Sequence, residues 1–373
     1  MFKSIRLRLY PNQNQAQSLA QNAGSARFVY NHFLDKKIEH YKRCGKSLSF
    51  AECCKQLTAL KREKQFVWLN DCDSTALQQS LKNLDTAYKG FFKHGRGFPK
   101  FKSKHRSRES FRCVMSITSD DNYLKCGKLG WIKTRGRYEL LANTKINSIT
   151  VSNDCGKWYA SCLIESDSEV SNHCHKYDTC GIDVGVARPL TVAYTSSTGQ
   201  LKYVETGKKF SKNLRVLELR TERYQRQMSR KKLGSANRAK AKKKLQNAYQ
   251  KERNLRKEFV EQTSFKLASL FQTVKFEDLK IQKMTEGKSA KLNRSMRRLG
   301  LGALVTRTQQ KADERNGLVL FVNPAYTSQT CRSCGSVDKR NRKSQSRFCC
   351  IDCGHTDNAD RNAAANILYK MAA

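Results

Sequence analysis

Two pairs of cysteines near the carboxyl end constrain this chain more than any other feature. They read Cys331-Arg-Ser-Cys334 and Cys350-Ile-Asp-Cys353, fifteen residues separate them, and a glycine directly follows each pair. Two C-x-x-C turns supply the four thiolates of a tetrahedral zinc site, and a glycine after each turn relieves backbone strain. We therefore predict one structural Zn²⁺ held by Cys331, Cys334, Cys350 and Cys353.

Other interpretations of the cysteines are a redox pair and an alternative ligand. Thiol redox chemistry needs one C-x-x-C pair, whereas four thiolates leave no open position. Cys349 could replace Cys350, although pairing it with Cys353 would break the two-residue spacing. The chain holds 15 cysteines, an odd number, mostly scattered singly. This usage is typical of a reducing cytoplasm rather than of a secreted disulfide framework.

The net charge indicates what kind of partner the chain binds. Lys and Arg number 72 against 32 Asp and Glu, which gives +40 at pH 7. Such an excess is typical of proteins that bind a polyanion, above all nucleic acid. The 373 residues, 38% of them hydrophobic, still predict about two or three folded domains. No segment resembles a signal peptide or offers the ~20 apolar residues that span a bilayer, so we expect no membrane partner.

Hydrophobic periodicity organises the first part of the chain. Ile5, Leu7 and Leu9 alternate with polar residues and predict a strand over 2–10. Apolar residues at helical spacing then predict helices over about 13–40, 47–64 and 74–92, and strand patterns follow from 111 to 165. We predict a small β-barrel from about 1–10 and 110–166, with a helical insertion at about 13–95.

Residues 89–112 combine positive charge with aromatic rings. They hold nine Lys or Arg and one acid, Glu109, with five phenylalanines between them. Cations interleaved with aromatic side chains favour a nucleic-acid surface. A solvated loop whose phenylalanines anchor it to the core is the alternative.

A second domain is predicted after a polar linker at about 165–177. Three strand-like runs follow the linker, and a helical pattern from 213 to about 270, broken at Gly234 and Ser235, predicts a hairpin. Residues 208–258 carry 19 Lys and Arg against 4 Glu, enough to contact several phosphates. Charge runs are otherwise usually solvated helix faces.

Three acids lie where a basic chain would not be expected to place them. Asp183 lies within the strand pattern Cys180-Gly-Ile-Asp-Val-Gly-Val186, Glu277 ends an apolar strand pattern, and Asp360 opens the last predicted helix. Burying an unpaired carboxylate is costly, so these positions need a reason. Three carboxylates from separate elements could hold two Mg²⁺ ions, the arrangement that two-metal phosphodiester hydrolysis requires.

Each acid also has an ordinary structural interpretation. Asp183 could cap a turn, Glu277 could pair with Lys275 or Lys280, and Asp360 could be a helix N-cap. Against this, the order strand, hairpin, helix, strand and helix is typical of an RNase H-like fold.

Several short motifs are spread over nearly the whole chain. They are Tyr10-Pro-Asn12, Ala26-Arg-Phe-Val-Tyr-Asn31, Phe98-Pro-Lys-Phe-Lys102, Gly181-Ile-Asp-Val-Gly185, Phe276-Glu-Asp-Leu279, Tyr326-Thr-Ser-Gln-Thr-Cys331 and Ala359-Asp-Arg-Asn-Ala-Ala364. Together they resemble TnpB, a family of transposon-encoded nucleases related to the type V CRISPR effectors. One departure is Glu261-Gln-Thr-Ser264, which stands where relatives often have a His-Lys pair.

The resemblance implies a fold and an activity. The fold is an α+β and α/β multidomain one: an amino-terminal nucleic-acid-binding lobe over 1–170, then a RuvC-like nuclease domain over 178–373 with the basic hairpin at about 211–270 and a zinc ribbon at about 326–356. Asp183, Glu277 and Asp360 would be the catalytic RuvC triad. The implied partners are a guide RNA and target double-stranded DNA, cut beside a short flanking motif in a prokaryotic cytoplasm at the nucleoid.

The helix predicted over Ser74–Phe92 is a candidate for reading that flanking motif. Gln78, Gln79 and Lys82 are of types that hydrogen-bond to base edges in the major groove. Solvated polar residues on an exposed helix face are the alternative.

Other functions are disfavoured by the same residues. A guide-dependent repressor that binds without cutting is expected to lose triad acids, and a DDE transposase would order its acids Asp, Asp, Glu. His173-Cys-His175 resembles the histidine pair of a relaxase-type transposase, but it lies in the polar linker rather than on a strand.

Overall fold

The chain divides into two compact units, Met1–Ser168 (unit 1) and Glu169–Ala373 (unit 2). A computed structural model describes residues 2–104, 108–136, 144–165, 173–185, 189–278, 300–344 and 346–371. No helix in these ranges combines the length and apolar character needed to cross a membrane.

Unit 1 is built on a seven-stranded antiparallel sheet. Its strands are β1 Phe2–Tyr10, β2 Ser110–Cys113, β3 Ile117–Asp120, β4 Tyr123–Cys126, β5 Trp131–Arg135, β6 Ile146–Asp154 and β7 Lys157–Glu165. They hydrogen-bond in the order β2-β6-β7-β1-β5-β4-β3. The alternating residues Ile5, Leu7 and Leu9 of β1 are buried in the core beneath this sheet, as the period-2 pattern predicts.

This sheet bends into a half-barrel, which corrects the predicted β-barrel. β3, at one edge, contacts β6, yet the two edge strands β2 and β3 share no ladder in the described part of unit 1. Strands β3 and β4, at one edge of the sheet, have only four residues each. β1, predicted as an addition to the barrel, pairs with both β7 and β5 and is the central strand.

Three helices and a 3₁₀ segment connect β1 to β2. They are α1 Gln13–Cys44, α2 Phe50–Leu60, the 3₁₀ segment Lys64–Asp71 and α3 Ser74–His94. A capping box between Asn12 and Gln15 starts α1, and Gly45, with φ of 64°, ends it. The helix predicted over 47–64 is shorter than expected because Ser49 caps its start and the chain tightens into the 3₁₀ segment after Leu60.

Unit 2 is built on a five-stranded mixed sheet. Its strands are β8 Tyr177–Asp183, β9 Leu190–Thr195, β10 Leu201–Thr206, β11 Phe271–Glu277 and β12 Leu318–Val322. They are ordered β10-β9-β8-β11-β12. β8, β9 and β10 form an antiparallel meander, and β11 runs parallel to both β8 and β12.

Helices connect and cover this sheet. They are α4 Lys208–Ser229, α5 Ala236–Leu270, α6 Leu301–Asp313 and α7 Ala359–Tyr369, with the short strands β13 Arg347–Cys349 and β14 Thr356–Asn358 preceding α7. α4 and α5 form the predicted hairpin between β10 and β11, and α7 packs on β8 and β9.

Gly181 allows α7 to lie directly against the sheet. A Cβ atom at this position would collide with backbone atoms of Ala364 and Leu368 in α7. Lys275 of β11 fixes the far end of that helix, because its ammonium donates to the carbonyls of Leu368 at 2.9 Å and Lys370 at 3.0 Å. The strand that carries Asp183 and the helix that carries Asp360 are thus held in close contact.

Candidate functional site

The four predicted cysteine ligands form one cluster in unit 2. The sulfur atoms of Cys331, Cys334, Cys350 and Cys353 all lie within 4.8 Å of one another. Across the two turns, Cys331 Sγ is 3.7 Å from Cys353 Sγ, and Cys334 Sγ is 3.6 Å from Cys350 Sγ. Four sulfurs about 2.3 Å from one Zn²⁺ lie about 3.8 Å apart at the corners of a tetrahedron. The sulfur spacing therefore fits Zn²⁺.

The two cysteine turns repeat the same backbone pattern. The N–H of Cys331 donates to the carbonyl of Ser336 at 2.8 Å, and that of Cys350 donates to His355 at 2.9 Å. Gly335 and Gly354 both adopt positive φ, 76° and 70°, where a side chain would be strained.

The backbone also prepares one thiol for metal binding. N–H groups of Cys353 and Asp352 donate to the sulfur of Cys350 and lower the pKa of its thiol to about 7. Cys349 instead belongs to strand β13 and does not join the cluster.

The three predicted acids come from three elements of unit 2 that meet at one edge of the sheet. Asp183 ends β8 and Glu277 ends β11, and these strands are parallel neighbours with Ile182 beside Phe276. Parallel strands that end together present their last side chains at the same edge. Asp360 lies in the first turn of α7, where the helix N-terminus favours a negative charge.

Burial raises the pKa of two of these carboxyl groups. Burial raises the pKa of Asp183 to about 7, and the charges of Glu277 and Asp360 act in the same direction. Burial also raises the pKa of Glu277. Their oxygens are more widely spaced than the cysteine sulfurs, since the three acids do not all lie within 4.8 Å of one another.

A set of hydrogen bonds connects the cysteine cluster to the acids. The segment between β12 and Cys331 contains Thr327, whose hydroxyl donates to Glu277 Oε1 at 2.5 Å. Side-chain amides of α7 hold the same segment: Asn362 donates to the carbonyl of Thr330 at 2.8 Å, and Asn366 donates to Thr327 and Thr330 at 2.8 Å. These hydrogen bonds therefore connect the cysteine cluster both to Glu277 and to α7, the helix that carries Asp360.

Arg342, between the two cysteine turns, brings a positive charge to the acids. Its guanidinium lowers the pKa values of both Asp183 and Glu277, against the effect of burial. Neighbouring Asn341 is fully buried and joins the turns, since its amide donates to Gln329 at 3.1 Å and accepts from the Ile351 N–H at 2.9 Å.

The chemistry of these donors distinguishes two kinds of metal site. Carboxylate oxygens are hard ligands that suit Mg²⁺ or Mn²⁺, and three of them around a partly buried site carry repulsion that a cation relieves. Thiolates suit Zn²⁺. Asp183, Glu277 and Asp360 would hold the former, and the four cysteines the latter.

Several ordinary interpretations of the sequence are now decided. The Lys275 ammonium donates to carbonyl oxygens at the carboxyl end of α7 and does not pair with Glu277. Lys280 lies outside the described residues. Asn358, not Asp360, is the N-cap of α7. Glu261 lies between the cations Arg307 and Lys311 of α6, each at 3.0 Å, so it holds α5 to α6.

The histidines of the 173–175 segment have structural hydrogen bonds. Nε2 of His173 lies 2.9 Å from the Ser269 carbonyl, and Nε2 of His175 lies 3.0 Å from the Arg315 carbonyl.

The three proposed base-reading residues lie in unit 1 on α3. Gln78 and Lys82 are exposed and Gln79 is half-buried, on the face opposite the buried Leu77 and Leu81. Their position is accessible to a ligand, and their role stays a prediction.

Sequence reasoning missed Thr327, Arg342, Asn362 and Asn366. Thr327 and Asn362 lie inside motifs that were singled out for other residues, at Tyr326–Cys331 and Ala359–Ala364. Asn366 repeats Asn362 one helical turn later, which was a usable signal. Nothing in the local sequence distinguishes Arg342 from the other cations around it.

Three family models match this chain. They are described as "Cas12f1-like, TNB domain" over residues 302–367, "Probable transposase" over 163–288 and "Helix-turn-helix domain" over 1–46. The first covers the cysteine cluster and α7. The third covers β1 and the single long helix α1, which contains no turn between Gln13 and Cys44.

Two relatives match over almost their whole length. The chain is 35% identical to the "Putative RNA-guided DNA endonuclease InsQ" of Escherichia coli (strain K12), over 98% of this chain and 91% of that protein. It is 28% identical to a "Putative RNA-guided DNA endonuclease" of Streptomyces pristinaespiralis, over 98% and 88%.

The fold is also similar to a solved structure. The Cas12f1 chain in a cryo-EM structure of a Cas12f1-sgRNA-target DNA complex superposes with a TM-score of 0.60 at 15% identity, covering 95% of this chain and 83% of that one. The protein has a Cas12-like multidomain fold with a half-barrel sheet and a four-cysteine cluster near its carboxyl end, and by its full-length identity to InsQ it belongs to the TnpB family, the transposon-encoded relatives of the type V CRISPR effectors.

Proposed function

We propose that this chain is an RNA-guided DNA endonuclease of an insertion sequence, which cleaves double-stranded DNA beside a short flanking motif. The observation that carries the proposal is the convergence of Asp183, Glu277 and Asp360 at one edge of the sheet, with raised pKa values for Asp183 and Glu277, in a chain of net charge +40. The names of the InsQ and Streptomyces relatives support the same activity.

The domain roles follow from the two units. Residues 1–170 form the lobe that binds nucleic acid, and guide pairing supplies sequence specificity while the protein reads duplex shape and the flanking motif. Residues 178–373 form an RNase H-like, RuvC-type nuclease domain with a zinc ribbon at about 326–356. The sheet order β10-β9-β8-β11-β12, with α7 against β8, supports this assignment.

The cleavage site uses each side chain for a separate task. Asp183, Glu277 and Asp360 would hold two Mg²⁺, which would supply an activated water and stabilise the leaving oxygen. Thr327 orients the Glu277 carboxylate through one oxygen and leaves the other free for a ligand. Arg342 directs a fixed positive charge at the site where the phosphodiester enters. Zn²⁺ on the four cysteines keeps Arg342 and Thr327 in position.

The test is to purify the protein from cells that carry its native locus and to sequence the RNA that copurifies. The complex is then incubated with matching target DNA and Mg²⁺. We expect one discrete RNA and cutting that requires the target, abolished in Asp183→Ala with RNA binding retained. A discrete RNA and target binding without cutting would instead identify a repressor, and absence of a defined RNA would refute guide dependence.

A further inference from the structure

Unit 1 contains a cavity lined by cations that face no acid. The cavity has a volume of about 360 Å³ and lies between α1, α3, β2 and β6. Its charged lining residues are Arg27, Lys102, Arg108 and Arg112. In the described part of the chain none of the four forms an ion pair with a carboxylate.

Two of the motifs noted in the sequence meet at this cavity. Arg27 and Asn31 belong to Ala26–Asn31, and Lys102 ends Phe98–Lys102. The Asn31 side chain accepts from the Lys102 N–H and donates to its carbonyl, both at 2.8 Å. The Lys102 ammonium lies 3.8 Å from the centre of the Tyr30 ring. The position of Lys102 is therefore fixed by the other motif.

The two arginines from the β2 region are also held in place. Arg108 Nη2 donates to Ser152 Oγ at 3.0 Å, and Arg112 Nη2 donates to Ser148 Oγ at 2.9 Å, both on β6. Serine hydroxyls rather than carboxylates hold both guanidinium groups, so among the described residues their positive charges stay without a counter-ion.

Arg27 has no side-chain partner in the described part of the chain and is half-buried at the cavity wall. Burial lowers the pKa of Lys102, as expected for a cation in a partly dehydrated site without a counter-ion. Like charges gathered in one cavity repel each other unless an anion enters.

We propose that this cavity binds a single phosphate group of a nucleic-acid backbone, held by Arg27, Lys102, Arg108 and Arg112. The proposal rests on the proposed nucleic-acid function, because it takes the anion from the polymer that the chain binds. Fixed guanidinium groups match the geometry of a phosphate, and phosphate contacts set register without reading bases. The cavity also borders α3, since the exposed Asn83 lines it one turn after Gln79 and next to Lys82. A phosphate held here would set how the nucleic acid lies along α3.

The test combines one protein variant with neutralisation of one phosphate at a time. Arg27→Gln removes one charge from the cavity and breaks no intramolecular hydrogen bond of the side chain. Methylphosphonate linkages are placed at successive positions in the guide RNA or in the target DNA. Affinity is measured on full-length Asp183→Ala protein, so that no strand is cut. The matched control is Arg62→Gln, an exposed cation of unit 1 outside the cavity lining.

We expect Arg27→Gln to weaken binding by about tenfold to a hundredfold, the range for a charged hydrogen bond. At one position, replacing the phosphate by a methylphosphonate should weaken binding to the protein that retains Arg27. The same replacement should cause little further loss of affinity in Arg27→Gln. The strand that contains this linkage identifies the source of the phosphate as guide RNA or target DNA. Arg27→Lys should recover most of the affinity, which separates lost charge from misfolding. The proposal would be overturned if the losses of affinity from Arg27→Gln and from the neutral linkage were additive at every position. An equal loss of affinity in Arg62→Gln would also overturn it.

If guided cleavage is not observed, the proposal that this cavity binds a phosphate can still be tested separately. On random-sequence RNA or DNA, one lost phosphate contact lowers the slope of log K against log salt by about one. Arg27→Gln should show this change relative to Arg62→Gln whether or not the protein cuts. Guided cutting with an unchanged slope and no coupled linkage would refute the cavity proposal and leave the nuclease intact.

Discussion

At the scale of single residues, the acid site combines burial and repulsion between carboxylates with the opposing charges of Arg342 and Lys370. Asp183 has a pKa of about 7 because it is buried and faces two other acids, whereas Arg342 lowers it. The protonated form of Asp183 cannot serve a metal, so proton and cation compete for the same oxygen atoms.

This competition predicts how cleavage depends on pH. Below pH about 7 Asp183 takes up a proton, so at limiting Mg²⁺ the rate should fall by up to about tenfold per pH unit. Excess Mg²⁺ should displace the proton and restore the rate. The measurement is cleavage rate against Mg²⁺ concentration at several pH values. A half-saturating Mg²⁺ concentration that stays constant from pH 8 to pH 6 would contradict the assigned raised pKa.

Arg342 offers a second prediction at this scale. Arg342→Ala should slow cleavage at saturating target by on the order of a hundredfold, as for loss of one fixed charge at a reacting centre. Its pH profile should move to higher pH, because the cation that lowers the pKa of the acids is gone. Arg340→Ala is the matched control, since Arg340 is exposed and pairs with Asp338 at 2.8 Å. Equal changes in cleavage rate and pH profile for the two substitutions would mean that Arg342 contributes only to folding and not to cleavage.

At the scale of elements, the cysteine turns and α7 act as one body. The segment from Thr327 to Cys331 donates to Glu277 at one end and is held by Asn362 and Asn366 at the other. The amino end of α7 carries Asp360, so two of the three acids depend on this segment.

Zinc removal should therefore disturb the acids. Cys350→Ser should lose bound zinc, unfold the region from the first cysteine turn to α7, and abolish cleavage, because three thiolates do not complete the tetrahedral site on which this region depends. Cys349→Ser should keep one zinc per chain and its activity. Metal analysis and limited proteolysis measure both effects. The reverse pattern would place the ligand at Cys349.

Close packing of β8 on α7 gives a further prediction. Gly181→Ala forces a methyl group against the backbone of α7, and overpacking of this kind costs about 1–3 kcal/mol. We expect a lower unfolding temperature and reduced cleavage, since α7 must move and Asp360 with it. Gly302→Ala is the control, because a Cβ there meets no atom within 4 Å and alanine favours the helix. An unfolding temperature unchanged by Gly181→Ala would show that α7 is not packed as described.

Local patterns predicted elements better than they predicted their assembly. Strand β1 coincides with the alternating run predicted over 2–10, and α1 begins at Gln13 as expected, because hydrophobic periodicity and capping depend on residues that are adjacent in sequence. The predicted barrel is present only as a half-barrel sheet, because strand order and closure depend on pairing between distant segments, which local patterns do not specify. Arg342 was missed for the same reason, since its importance comes from residues 65 or more positions away, such as Glu277.

At the scale of the whole molecule, the excess of 72 basic over 32 acidic residues dominates. Self-repulsion of such a charge destabilises a compact state, and salt screens it over a distance of about 10 Å at 0.1 M. The apolar cores of the two units oppose this repulsion in the free protein.

Salt should therefore act in opposite directions on the free and the RNA-bound protein. From about 0.05 M to about 0.5 M NaCl we expect the unfolding temperature of the free chain to rise, because repulsion is screened. That of the RNA complex should fall, because salt weakens phosphate contacts and with them the stabilisation by the ligand. Thermal unfolding followed by circular dichroism measures both. Responses of the same sign would mean that charge repulsion does not limit the stability of the free chain.

The placement of Asp360 on α7 has a consequence for protein synthesis. Strands β8 and β11 leave the ribosome with two acids, but the third follows only 83 residues after Glu277. Under the proposed function, a translation product truncated before α7 could bind nucleic acid through unit 1 yet could not cut it. The order of the acids along the chain would then make cleavage depend on synthesis of the protein through α7.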